Sequence, residues 1–433
     1  MKNKNTFVIV YYIILLLILS FRQDTKAEPP MVLRLAYLFA VLLPCLFSKS
    51  ISYPAILTVF LTIGHYGYAY SYMPYMTYIY GILTLAMTFV LSMRHRMLKG
   101  DQPPFLVLFT VYIFLVDLIA SYGNPQTHII EDVTWCFVML LCFFFFSEGK
   151  YENTRHQLSV AFALTSTLLS LYFLTNRTTF VRDYGYESGL ERSGWADPNY
   201  FGMVIGMGTV MAIIKVLDKK WRHLALLEKA LYIVTVIITI PTLILNASRG
   251  SIISLLSSLV VLVVLSKAKM GYKVVLVLLA VIGVVLLYQN QYFELLEYRI
   301  ANEEGTMSGR TIIWKEKLEA YLQGDLMQLL FGYGFTAGFN ITGRACGFHN
   351  DFLAFLVDYG IVGVGLLLNM LYYPFKIMSR KSHSRPVVLA LTTFLVTCML
   401  TLEPFTHALL AFFTLYFFII LSAKDKSVSF SKS

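Results

Sequence analysis

FHNDFLAFLVDYGIVGVG, residues 348–365, sets His349, Asn350 and Asp351 at the mouth of an apolar run long enough to cross a membrane. Asp358 lies about two turns inside that run. The rest of the chain decides whether the run is a span. Hydrophobic residues make up 57% of 433 and charged residues only 14%, which would leave a soluble domain too little polar surface to cover itself. The expected fold is an all-α, polytopic transmembrane helical bundle of about 12–14 spans, with a long extracytoplasmic loop containing interfacial helices. Stretches of spanning length run roughly 6–21, 31–48, 51–67, 72–93, 104–121, 131–147, 157–175, 198–216, 228–247, 251–266, 273–288, 351–373, 387–402 and 405–422.

A formal charge of +10 raises the question of nucleic acid, and the distribution of that charge answers it. Basic residues cluster in short loops: Arg94, Arg96 and Lys99; Lys215, Lys219, Lys220 and Arg222; Lys267, Lys269 and Lys273; Lys376, Arg380, Lys381 and Arg385; then Lys424 and Lys426. These loops alternate as cytoplasmic faces do, so no nucleic-acid partner is expected and both termini are expected inside. The same register puts 122–130, 176–197, 246–250, 289–349 and 402–405 outside. Residues 289–349 hold five Lys/Arg against seven Asp/Glu, so an arginine there is no part of a general basic patch. The N-terminal MKNKNTFVIVYYIILLLILS begins like a secretory signal, but TKA at 25–27 is a poor cleavage site, and an uncleaved first anchor is expected. The five cysteines (45, 136, 142, 346, 398) form no CxxC pair, and all but Cys346 fall in spans. They read as small apolar residues.

The sequence divides into N-terminal transmembrane helices at 1–175, a core at 176–373 with extracytoplasmic loops 176–197 and 289–349, and a C-terminal hairpin with a basic cytoplasmic tail at 374–433. In the first loop Asp197-Pro198-Asn199 signals a turn or cap before the next span. In the second, TIIWKEKLEAYLQ (311–323) puts Ile313, Trp314, Leu318, Tyr321 and Leu322 near one helical face and Lys315, Glu316 and Glu319 on the other. This predicts an interfacial helix with Trp314 at headgroup level. FGYGF (331–335) follows, its two glycines allowing a tight backbone reversal.

Several chemistries lack their residues. There is no GxxxxGK[ST] phosphate cradle, no HExxH, no His pair at helical spacing, no DxD and no GxSxG elbow. What remains on the outer face is a set of arginines, with His349 in the same loop region as Arg310 and Arg344. Arg249, in LNASRGSIIS, is either an anchor snorkelling to lipid phosphate or, with Ala247, Ser248, Gly250 and Ser251 clearing space, a guanidinium that grips a phosphate bidentately. Arg310, in MSGRTIIW, either pairs with Glu303 or Glu304 or serves the same anion. Arg192 has Glu191 and Asp197 nearby, and Arg344 is close in sequence to His349. His349 reads as a polar cap, or as a base kept neutral by the positive end of a helix dipole. Free N–H groups at that end can hold an anion. Asp351 can cap the helix or orient the imidazole, and Asp358 is a buried carboxylate without an assigned role.

SRG at 248–250, SGRxxxW at 308–314, GYG at 332–334, HNDFLxxLxxYGxxG at 349–363 and the RSGWADPNYFG segment at 192–202 together resemble the O-antigen ligase and polymerase superfamily, the Wzy and WaaL type of bacterial membrane glycosyltransferases. The similarity covers roughly 190–370. It implies an inverting transfer, without nucleotide, cofactor or metal, of an undecaprenyl-diphosphate-linked oligosaccharide to an acceptor hydroxyl at the outer leaflet of the bacterial inner membrane. It further implies that Arg249 and Arg310 bind the diphosphate and His349 activates the acceptor, while Arg192, Arg344, Asn350, Asp351 and Trp314 line the diphosphate and glycan. The implied partners are the lipid-linked donor, a glycan or lipid A-core acceptor, membrane lipids and a chain-length regulator. The activity expected first is a polysaccharide polymerase, and the alternative is an O-antigen ligase. A lipid-linked glycan flippase is the rival from another class, and would use Asp117 and Arg34 inside spans.

Overall fold

In a computed structural model, the described residues are 10–11, 104–123, 152–175, 198–265, 270–290, 293, 297, 309–334, 341–343, 347–378 and 385–402. The spans expected near 6–21, 31–48, 51–67, 72–93, 131–147 and 405–422 lie wholly or almost wholly outside them. The regular elements described are all helical: α1 (Pro104–Gly123), α2 (Glu152–Thr175), α3 (Pro198–Val216), α4 (Leu226–Leu245), α5 (Arg249–Leu265), α6 (Met270–Gln289), α7 (Arg310–Leu322), α8 (Leu326–Phe331), α9 (Asp351–Met378) and α10 (Arg385–Thr401). A short 3-10 turn, Lys219–His223, joins α3 to α4. By length and composition Leu226–Leu245 and Asp351–Tyr372 can cross a membrane, and five shorter stretches are also apolar. The chain is an all-α membrane bundle. Prolines mark two of the helix starts, Pro104 and Pro198, where a missing N–H costs nothing.

Two compact units divide the chain. One comprises residues 1–101, 144–242 and 415–433, and the other 102–143 and 243–414. In the first unit α2, α3 and most of α4 are joined by buried hydroxyls. Ser166 donates to the Val204 carbonyl at 3.0 Å, Thr167 meets Thr235 at 2.8 Å, and Thr209 meets Thr239 at 2.7 Å. Gly208 lies so close to Ser166 that a Cβ there would collide with its hydroxyl. Small residues and interhelical hydroxyls are how helices associate where lipid removes the hydrophobic drive.

The second unit follows the same rule. Ser251, Ser254, Leu255, Ser258 and Leu262 form the buried stripe of α5. The stripe faces an antiparallel α10: a Cβ on Gly250 would lie 2.7 Å from the Thr401 hydroxyl, and Ser258 donates to the Ala390 carbonyl at 2.8 Å. The opposite face exposes Ile253, Leu256, Val260 and Val264, as a lipid-facing helix does. Against α1, α9 stacks Phe355 on Phe109 with centroids 6.1 Å apart, and the Tyr359 hydroxyl donates to Asp117 at 3.3 Å.

The run expected as a continuous span from 351 is broken. Gly360 has φ 66° and ψ −173° inside α9, which frees carbonyls on the preceding turn. The GYG stretch takes them up: Tyr333 N–H donates to Val357 at 3.0 Å and Gly334 N–H to Asp358 at 2.8 Å. Gly332 and Gly334 have φ 83° and 94°. A Cβ on Gly332 would strike the Asp358 carbonyl, and one on Gly360 the Leu330 carbonyl. Glycine is needed at both because two backbones touch there.

Candidate functional site

The site residues of the second unit are set by three helix starts. The first is the α4–α5 reversal, made in three buried residues, Asn246, Ala247 and Ser248. Ala247 has φ 51° and donates to Ile244 at 3.0 Å, ending α4. The Ser248 carbonyl accepts from Ile252 at 3.1 Å, and its hydroxyl meets Ser251 at 2.9 Å, opening α5. Arg249 is the first residue of α5 and partly buried.

The second start is α7, which begins at Arg310 after Gly309 at φ 79°. Arg310 donates through Nη1 to the Thr401 carbonyl at 2.9 Å. Lys315 and Glu319 lie exposed and 3.9 Å apart, as the pattern predicts. The buried stripe, however, is rotated from the predicted one. Leu322 is 68% exposed, while Lys317 is fully buried beside Tyr321. The cause is what α7 packs on: Tyr321, Phe348, Ala354 and Val357 form a small core with Trp314, Leu329, Tyr333 and Leu353 against it. The helix docks on the first half of α9. The following turn is fixed by a capping box, with Asp325 and Gln328 exchanging bonds at 2.9 Å, worth about 1 kcal/mol. Burial raises the Tyr321 phenol above its ordinary range, with Tyr333 adding to the shift. The phenol donates to the Leu329 carbonyl.

The third start is α9. Its cap is Asn350, not Asp351: Asn350 Oδ1 accepts from Leu353 N–H at 3.2 Å, and its Nδ2 donates to the Leu400 carbonyl at 3.4 Å. Asp351 is fully buried, and its N–H donates to the Leu402 carbonyl at 3.1 Å. His349, one residue outside the cap, has φ 51°, a left-handed conformation uncommon for a residue with a Cβ. It is partly buried, and its Nδ1 is enclosed by protein. Phe348 before it is fixed by Trp314, whose indole Nε1–H donates to the Phe348 carbonyl at 2.6 Å.

Thus Arg310, Asn350 and Asp351 all donate to Leu400–Leu402 at the end of α10, and Gly250, next to Arg249, packs on Thr401. The C-terminal carbonyls of α10 carry partial negative charge, so cations and helix N-termini are favoured beside them. The structure brings the Arg249, Arg310 and His349 motifs to one place, with Asn350, Asp351 and Trp314 in its framework. Arg192 and Arg344 lie outside the described residues. Asp358 is buried apart from this cluster, in the turn gripped by Gly334. Asp117 accepts from Tyr359, and Arg34 is outside the described residues. Among those residues no group of three His, Cys, Asp or Glu is placed to hold a metal ion.

At this site a buried charge was missed by reading the sequence. Lys317 lies on the α7 stripe at i+7 from Arg310, and its Nζ stands 4.8 Å from the centre of the Phe348 ring. The signal was the i, i+4, i+7 spacing of Arg310, Trp314 and Lys317, hidden because lysine on an interfacial helix is usually solvated.

Residues 234–368 match the family model described as O-antigen ligase. The matched stretch runs from α4 to the second half of α9 and includes Arg249, Arg310, Lys317 and His349. A comparison with curated proteins finds no match.

Proposed function

We propose, for a chain that belongs over residues 234–368 to the O-antigen ligase/polymerase superfamily, that it moves a glycan from a polyprenyl-diphosphate carrier to an acceptor hydroxyl at the outer leaflet. The observation that carries this reading is the convergence of the Arg249, Arg310 and His349–Asp351 helix starts on the last turn of α10. Two guanidinium groups and helix N-termini suit a diphosphate. The acceptor oxygen bonds the anomeric carbon from the face opposite the leaving group. The bond from that carbon to the diphosphate oxygen breaks, and its electron pair leaves with the phosphate. Arg249 and Arg310 stabilise the charge developing there. The acceptor proton passes to His349, and with Nδ1 enclosed by protein it arrives at Nε2.

The reading adopted for the acceptor is a second lipid-linked glycan, which makes the reaction polymerisation of a surface polysaccharide. The alternative form is a ligase, in which the same donor glycan passes to lipid A-core; the family matched over residues 234–368 is described as O-antigen ligase. Arg192 and Arg344 are assigned supporting contacts to the diphosphate or glycan in either form.

Arg249→Ala, Arg310→Ala and His349→Ala should each abolish transfer while the protein still accumulates in membranes. Gel analysis of surface glycan reads this directly. Wild-type glycan length and attachment in all three variants would overturn the proposal. In a deletion strain, single repeat units on the acceptor identify a lost polymerase, and long chains retained on lipid carrier identify a lost ligase. Absence of outer-leaflet glycan would identify a flippase instead.

A further inference from the structure

The imidazole of His349 stands on a backbone that has to be held. A left-handed residue with a Cβ lies above its extended alternatives in energy, and Phe348 and Asn350 on either side of it are both tied down. Asn350 is fixed by α10 through Leu400 and by its own cap. Phe348 sits in the small core with Ala354 and Val357 of α9, and α7 ties it twice more: Trp314 donates to its carbonyl at 2.6 Å, and the Lys317 ammonium lies over its ring at 4.8 Å. Phe348 is 2% exposed and Lys317 fully buried. A core that needed only volume would take Leu or Met at 317. Burying an ammonium is costly, and the cation–π contact with the Phe348 ring offsets part of that cost.

We propose that Trp314 and Lys317 form a clamp on Phe348 that fixes the His349 imidazole at the transfer site, with Lys317 a positioning residue that acts through the Phe348 ring. This rests on the catalytic role proposed above for His349. Being fully buried, Lys317 is shielded from a bound donor, and its effect should appear in turnover, not in donor binding. The clamp also explains why Arg310 and Lys317 share one stripe of α7. One end of the helix faces the anion, and the charge two turns on secures the base.

The test uses full-length protein in membranes and, as donor, the lipid-linked glycan extracted from a deletion strain of the host. Lys317→Met should lower kcat by about 10²-fold, the scale of a small misplacement of a catalytic group, with donor KM unchanged. Phe348→Leu should do the same and Phe348→Tyr, which keeps a ring, should not. The double variant Lys317→Met/Phe348→Leu should be no slower than either single variant, since the effect on His349 runs through the contact the two share. Unchanged kcat in Lys317→Met, or effects that multiply in the double variant, would overturn the clamp. Should Lys317→Met fail to accumulate, the contrast between Phe348→Leu and Phe348→Tyr decides, and equal rates for the two would overturn it. His349→Ala separates the two proposals: if it is inactive while Lys317→Met is fully active, the clamp fails and the transfer chemistry stands.

Discussion

At the scale of single residues, the role proposed for His349 sets function against stability. Its φ of 51° suits glycine, which meets no Cβ penalty there. His349→Gly and His349→Ala both remove the imidazole and should both be inactive. The glycine variant should nevertheless be the more stable of the two by about 1 kcal/mol, read as a higher unfolding midpoint in detergent. Equal midpoints would show that the left-handed backbone carries no strain. The place of His349 at the mouth of a helix was legible in the sequence, because polar residues followed by an apolar run mark a helix start. Its backbone was not, since no local pattern announces a left-handed histidine. The assignment of the cap was also hidden: Asn350 and Asp351 both cap well in isolation. The choice fell to Asn350 because its amide, unlike a carboxylate, can also donate to the Leu400 carbonyl.

At the scale of elements, the break in α9 is the feature that hydropathy could not show. A window average sees one span from 351 to 373, since a single glycine hardly changes it. The break is stabilised from outside the span, by N–H groups of Tyr333 and Gly334 at 3.0 and 2.8 Å. Long-range pairing of that kind leaves a trace only as glycines in both partners. Gly332→Ala and Gly360→Ala should each destabilise by more than about 2 kcal/mol, because each new Cβ meets backbone that cannot swing away and sits at positive φ. Gly283→Ala, on α6 with open space around it, is the control and should be neutral or slightly stabilising. Thermal melts in detergent compare the three. Helix ends such as Pro198 and Arg310 were legible because proline and the switch from polar to periodic residues are local. The stripe of α7 was misread because its partner surface, Phe348 and the first half of α9, lies more than twenty residues away.

At the scale of the whole molecule, the all-α membrane architecture followed from composition alone, while the pairing of spans did not, since lipid-facing and buried stripes are both apolar. Which serines and glycines meet, such as Gly250 with Thr401, is a matter of interlocking shape. The orientation expected from basic loops makes a direct prediction. Gln323 and Asp218 are both exposed, the first in the 289–349 loop and the second beside the Lys219–His223 turn. In intact cells, Gln323→Cys should react with a membrane-impermeant maleimide and Asp218→Cys should react only after permeabilisation. The reverse pattern would put the transfer site on the wrong side for an outer-leaflet donor. A last consequence concerns the segment from 335 to 347. Both its ends are pinned by main-chain atoms, Gly334 to Asp358 and Phe348 to Trp314, and Ile341 within it packs on the same small core as Phe348. Under the proposed chemistry the wall behind the base is therefore stitched from both directions along the chain, and a change of side chain at 341 should be felt at His349 although the two are eight positions apart.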